Sequence, residues 1–134
     1  MKFMTAIDLK TYLPMFISSV KDSLIIVEKN FNILLSSTVN PDQQKIAYTE
    51  IHRMFHMIKG RALFMGYEQT GQYCLLLEKI FSLLKENKLS LSIEQITTFS
   101  NSVKVLSDDL KMIEQQKKEI DLSLIIKNLE NFNS

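Results

Sequence analysis

Apolar residues recur at steps of three and four along nearly the whole chain, and that period leaves room for little except amphipathic helices. Leu9, Leu13, Phe16, Ile17, Val20, Leu24, Val27, Phe31 and Leu34 form a first stripe over residues 8–35. Ile51, Met54, Phe55, Ile58, Ala62 and Met65 form a second, within 41–65. Cys74, Leu77, Phe81 and Leu84 mark a third over 68–86. Ile96, Phe99, Val103, Leu106, Leu110 and Ile113 mark a fourth over 92–116. A shorter fifth carries Leu122, Ile125, Ile126, Leu129 and Phe132. With 3 Gly and 2 Pro, the chain is also too poor in turn residues for a β protein.

The punctuation agrees with the stripes. Residues 36–41 read as a loop, and 87–89 as a short connection. Pro14 either occupies a first-turn position or kinks the first segment, because it has no N–H and crowds the preceding turn. Gly66 ends the second segment as a helix-closing glycine. Ser92 with Gln95 has the spacing of a capping box, and Asp121 can cap the fifth segment. The polar run 115–119 reads as a solvated end or loop. The expected fold is all-α: an antiparallel up-down four-helix bundle with an additional fifth C-terminal helix. One domain over residues 1–134 fits this length, with no repeat or interdomain linker.

Composition narrows the function. Lys and Arg number 16 and Asp and Glu 15, so overall charge makes no case for nucleic acid or a membrane surface. No stretch approaches 18 uninterrupted apolar residues, so no membrane insertion is expected. The single cysteine, Cys74, cannot form an internal disulfide and falls in an apolar stripe. No signal-peptide pattern opens the chain. These features point to a cytoplasmic protein.

One run breaks the helical rules. Gly60 lies inside the second helical pattern, where glycine costs about 1 kcal/mol against alanine. It follows His56 by four residues and Lys59 by one. His52, His56, Lys59 and Leu63 share a stripe about 100° from the core residue Phe55. His56 is therefore expected at the edge of the buried face, with Lys59 one turn on and Gly60 clearing space for a partner surface. A neutral imidazole nitrogen is nucleophilic, and a nearby cation favours a phosphoryl group. Each residue also has an ordinary reading. A helical histidine is usually structural, and His52 fits that reading better than a metal role. His52 and His56 could share a zinc ion from one face, but no glutamate follows His52 and no further Cys or His completes a site. Glu78 alone reads as a solvated helix glutamate. Met54, Met57 and Met65 read as core filler, Cys74 as a buried thiol, and Gly71 as a site of close helix packing.

The run Ile51-His52-Arg53-Met54-Phe55-His56-Met57-Ile58-Lys59-Gly60, followed by Phe64-Met65-Gly66-Tyr67, resembles the histidine phosphotransfer (HPt) family. It is most similar to the amino-terminal phosphotransfer domain of CheA-type chemotaxis histidine kinases. Residues 12–17 resemble that domain's first helix and residues 76–81 its third. The resemblance implies that His56 accepts the phosphoryl group, Glu78 orients its ring and Lys59 supplies positive charge. Gly60, His52, Arg61 and Leu63 would form the docking surface, where Arg61, Leu63 and Phe64 are bulkier than usual in chemotaxis relatives. The implied partners are a histidine kinase catalytic domain and a response-regulator receiver domain. No cofactor would be bound, with ATP and Mg²⁺ acting through partner domains, and no metal site is expected. The chain alone would be a carrier rather than an enzyme, as the amino-terminal part of a kinase or as a standalone relay protein. The alternatives are a phosphotransfer-inactive helical adaptor and, more remotely, a metal-dependent four-helix protein, for which inward carboxylates at suitable spacing are missing.

Overall fold

The computed structural model describes residues 6–132, and every regular element among them is a helix: α1 (Ala6–Leu34), α2 (Pro41–Phe64), α3 (Glu68–Lys85), α4 (Ile93–Ser100), α5 (Ser102–Gln116) and α6 (Ser123–Phe132). The ends of the expected 1–134 domain, residues 1–5 and 133–134, lie outside the described residues. The five expected stripes correspond to these elements with one break. The fourth is two helices, α4 and α5, divided at Asn101. The approach to that break is rich in short hydroxyl side chains. Thr97, Thr98 and Ser100 hydrogen-bond back to the carbonyls of Ile93, Glu94 and Thr97, and the Asn101 N–H reaches only to Thr98. Such side chains offer the backbone an alternative to the helical ladder. Pro14 lies well inside α1, so it does not occupy a first-turn position.

The helix ends have local causes. Asn40 starts α2 with a reciprocal capping box. Its side chain accepts from the Gln43 N–H at 2.8 Å, and the Gln43 side chain accepts from the Asn40 N–H at 3.0 Å. Ser92 and Gln95 do the same for α4, as their spacing predicts. Gly66 closes α2 at φ +85°, with Gly66 N–H donating to Leu63 and Tyr67 N–H to Ala62. This is the Schellman pattern, whose left-handed position favours glycine. Asp121 accepts from the N–H and hydroxyl of Ser123 at the start of α6.

The longest packed interface joins α2 to α3, followed by α1 with α2; α5 lies against α1 and α6 against α3. Gly71 of α3 is buried against α2, and a Cβ there would stand 2.4 Å from Leu63 Cδ2. Phe81 occupies the centre. Its ring meets Phe31 of α1 at 5.5 Å, Phe55 of α2 at 6.1 Å and Phe99 of α4 at 6.2 Å. Each such pair adds about 1 kcal/mol beyond the area buried. Ala47, Tyr73, Leu76 and Ile80 join the expected core residues, while α6 buries none of its side chains fully.

A polar knot ties the start of α3 to the chain after α5. Glu119 accepts from the Gln69 and Thr70 N–H groups, and the Gln69 side chain accepts from the Leu122 N–H at 2.6 Å. The Thr70 hydroxyl lies 2.6 Å from Asp109 Oδ2 and 2.7 Å from Glu119 Oε1. One hydroxyl proton cannot fully serve two carboxylates. The single hydroxyl proton is therefore divided between Asp109 and Glu119, and two carboxyl groups are held close together around it. Burial pushes the Asp109 carboxyl above its ordinary value, and hydrogen bonds from Thr70 and Ile120 offset only part of that. A raised folded pKa gives stability that is fully present below about pH 3.8 and is lost as pH rises through the folded value. Asp109→Asn removes the titrating carboxyl but keeps an oxygen to accept from the Ile120 N–H. Its stability relative to wild type is expected to increase as pH rises from 4 to 8. Asp109→Ala removes the contacts with Thr70 and Ile120 and is expected to cost about 2 kcal/mol. Urea unfolding of all three proteins across that range checks both outcomes.

Candidate functional site

His56, Lys59 and Gly60 project from the middle of α2, and Glu78 meets them from α3. The position of Glu78 follows from its helix: Cys74, Leu77, Glu78 and Phe81 fall at i, i+3, i+4 and i+7, on one face. The carboxylate is thus set into the apolar seam, with its side chain 11% exposed, and a charge placed there requires partners. It has two. His56 Nδ1 lies 2.5 Å from Oε1, and Lys59 Nζ lies 2.8 Å from Oε2. Burial pushes the Glu78 carboxyl up, but hydrogen bonds and charge from Lys59 and His56 outweigh it and leave the pKa below its ordinary value.

An ionised carboxylate only accepts, so its contact with His56 places the ring proton on Nδ1. The lone pair then resides on Nε2, the far nitrogen of a side chain that is 61% exposed. This is the tautomer that a nucleophilic imidazole needs, held by a second residue. Lys59 Nζ is also 3.4 Å from Nδ1, but with that nitrogen protonated the ammonium is a neighbour and not a donor. Lys59 is therefore drawn to the Nδ1 side of the ring through Glu78.

The remaining expected positions surround this centre. A Cβ on Gly60 would meet nothing within 4 Å, so the face beyond it is open. Arg61 is exposed, and Leu63 is half-exposed with its tip resting over Gly71. Phe64 lies edge-on to Tyr12 of α1 at 6.2 Å, and the two rings with Met15 and Gly60 line a groove of about 300 Å³. His52 lies one turn before His56, half-buried, with Lys85 Nζ 3.5 Å from its Nδ1. Lys85 and Tyr12 were not legible as site residues. Lys85 could have been found from its place seven residues after Glu78, two turns along one face of α3. Tyr12 is an exposed aromatic off its helix's apolar stripe.

Cys74 is fully buried, and burial pushes its thiol far up, so it is unreactive. Met54 and Met65 lie in the core and Met57 packs at its edge. Among the described residues there is no group of three or more His, Cys, Asp or Glu side chains placed to hold a metal ion. No helix among them is long and apolar enough to cross a membrane.

A helical chain that presents an exposed histidine to solvent and holds its ring from behind belongs to a recognisable class. The family model of the Hpt domain matches residues 11–119, and the chain belongs to that family. Hpt domains carry phosphoryl groups between kinases and response regulators in two-component signalling. Neither the curated proteins nor the solved structures include a significant match.

Glu78→Ala removes the ring's acceptor and leaves the Lys59 ammonium unpaired. A loss of about 2 kcal/mol is expected. The His56 ring should also change from one tautomer to a mixture of two, which ¹⁵N chemical shifts of the imidazole report. Because its folded pKa is lowered, Glu78 stabilises the fold above about pH 4.5, and this contribution is lost as pH falls through the folded value. The destabilisation of Glu78→Ala should accordingly shrink in acid.

Proposed function

We propose that His56 is the phosphoacceptor of a phosphorelay. The observation that carries this reading is the hydrogen bond from His56 Nδ1–H to the recessed Glu78 carboxylate, which leaves an exposed Nε2 as nucleophile. In the first transfer, the Nε2 lone pair forms a bond to the γ-phosphorus of ATP while the bond to the bridging oxygen breaks and ADP leaves. The ring becomes cationic as the N–P bond forms, and Glu78 faces that charge through Nδ1–H. In the second transfer, a carboxylate oxygen of a receiver aspartate forms its bond to phosphorus, the N–P bond breaks and the neutral ring is restored. Lys59 offsets the charge of Glu78 and adds positive potential near the phosphoryl group.

The donor in this reading is the ATP-binding domain of a histidine kinase, and the acceptor is a response-regulator receiver. ATP and Mg²⁺ act through those domains, and this chain is carrier and not enzyme. The resemblance of residues 51–67 to CheA-type kinases supports an amino-terminal phosphotransfer domain of a cytoplasmic chemotaxis kinase. We assign residues 1–134 to one domain. In it, α1, α2, α3 and the α4–α5 pair act as the four staves of an antiparallel up-down bundle, with α6 as the additional fifth. Gly60, Arg61, Leu63 and His52 form the surface that partners approach.

The groove of Tyr12, Met15 and Phe64 favours a second reading, a helical adaptor that binds such partners without taking up phosphate. One experiment separates the two. Incubation with ATP and a cognate kinase catalytic domain should give acid-labile, base-stable phosphate on wild type and none on His56→Gln. An unlabelled wild type with every cognate kinase would leave only the adaptor. Gly60→Leu introduces a side chain into open space on the approach face. It should reduce transfer at least tenfold while leaving the thermal midpoint within a few degrees of wild type. A collapse in stability would remove the argument that Gly60 serves clearance.

A further inference from the structure

His52 is the other of the chain's 2 histidines, and the phosphotransfer reading gives it no chemical role. It precedes His56 by four residues on α2, so the two side chains are neighbours on one face, about 6 Å apart at their Cβ atoms. Helical side chains lean toward the N-terminus, so the His56 ring leans over the turn that bears His52. Across the α2–α3 interface, Lys85 Nζ is 3.5 Å from His52 Nδ1. An ammonium only donates, so the contact requires an unprotonated Nδ1 and leaves the ring proton on Nε2. The charged and titratable groups facing this ring are Lys85 and Glu78 from α3 and His56 and Lys59 from α2. Burial first, and Lys85 next, hold its pKa below the ordinary value, with Glu78 alone opposing. While His56 is free, His52 is therefore neutral at pH 7.

Phosphorylation of His56 reverses this balance. The new N–P bond makes the His56 ring cationic but brings a phosphoryl group of about two negative charges, so the site gains net negative charge one helical turn from His52. We infer that His52 is the proton-coupled counter-group of the phosphorylated site: it takes up one proton from water, at Nδ1, when the phosphoryl group arrives on His56, and releases it when that group departs. Protonation displaces the Lys85 ammonium from Nδ1. Because coupling is reciprocal, proton binding at His52 favours the phosphohistidine by the same factor, and mild acid shifts the relay toward this chain and away from the receiver. The inference rests on the assignment of His56 as phosphoacceptor.

The test needs no partner protein. Chain labelled with ¹⁵N-histidine is titrated by NMR before and after treatment with phosphoramidate, a small donor whose N–P bond breaks as ammonia leaves. ³¹P NMR and the ring nitrogen shifts report whether His56 carries the group. The expected result is a rise of about one unit in the His52 pKa on phosphorylation, a tenfold gain in proton affinity. In the free protein, Lys85→Gln should also raise the His52 pKa. A His52 titration that stays in place while His56 is phosphorylated overturns the inference and leaves the phosphoacceptor assignment standing. Failure to phosphorylate His56, or phosphate on His52 in its place, overturns both.

Discussion

The Phe81 ring is the constraint on which the site depends. It is fully buried and meets rings from α1, α2 and α4, so it fixes how α3 sits against each of them. Two of the residues in this aromatic cluster are near neighbours of the chemistry. Phe55 precedes His56 by one residue, and Phe81 follows Glu78 by three. The contact between Phe55 and Phe81 therefore sets the register in which the carboxylate meets the imidazole. A sideways shift of α3 by one residue would move Glu78 by about 100° around its axis and carry it off the ring. Truncating such a buried ring costs about 3–5 kcal/mol, which indicates how firmly the register is held.

Within that frame, charge explains what apolar packing cannot. Glu78 in the seam between α2 and α3 would be costly alone, and it is retained with a lysine and a histidine on its two oxygens. The pairing with Lys59 keeps it ionised, and ionisation keeps His56 in a single tautomer. The same logic at the far end of α3 gives the opposite result. Asp109 is buried beside Glu119 with no cation among its hydrogen-bond partners, and it is pushed toward its neutral form. Thr70, Cys74 and Glu78 follow one another at steps of four on α3, so one helical face meets a buried acidic knot at one end and carries a cation-paired carboxylate two turns away.

Most of the architecture was legible because it rests on local rules. The stripes located the helices, Gly66 marked the end of α2, and Ser92 with Gln95 marked the start of α4. The start of α2 at Pro41 was legible from the end of the loop before it, and Asn40 with Gln43 obeys the same capping rule. The division at Asn101 was not legible, since the apolar stripe runs through it and the cause is hydroxyl groups competing for carbonyls. The site was half legible. His56, Lys59 and Gly60 lie on one helix, where spacing determines neighbours. Glu78, Lys85 and Tyr12 come from other helices, and only packing brings them near. Glu78 carried a signal even so, as a carboxylate in the middle of an apolar face.

Leu63 and Gly71 give the α2–α3 contact a consequence for divergence. The leucine tip occupies the volume that a β-carbon at position 71 would need, so the two positions hold one side chain between them. Relatives that gain even a methyl group at 71 must shorten or redirect the residue at 63, and those with a small residue at 63 are released from glycine. Drift at this pair is therefore paired drift. Because position 63 also lies on the approach face three residues from Gly60, each such exchange alters the relief that partners meet. A substitution buried in α3 can in this way change partner preference without touching any residue that a partner contacts.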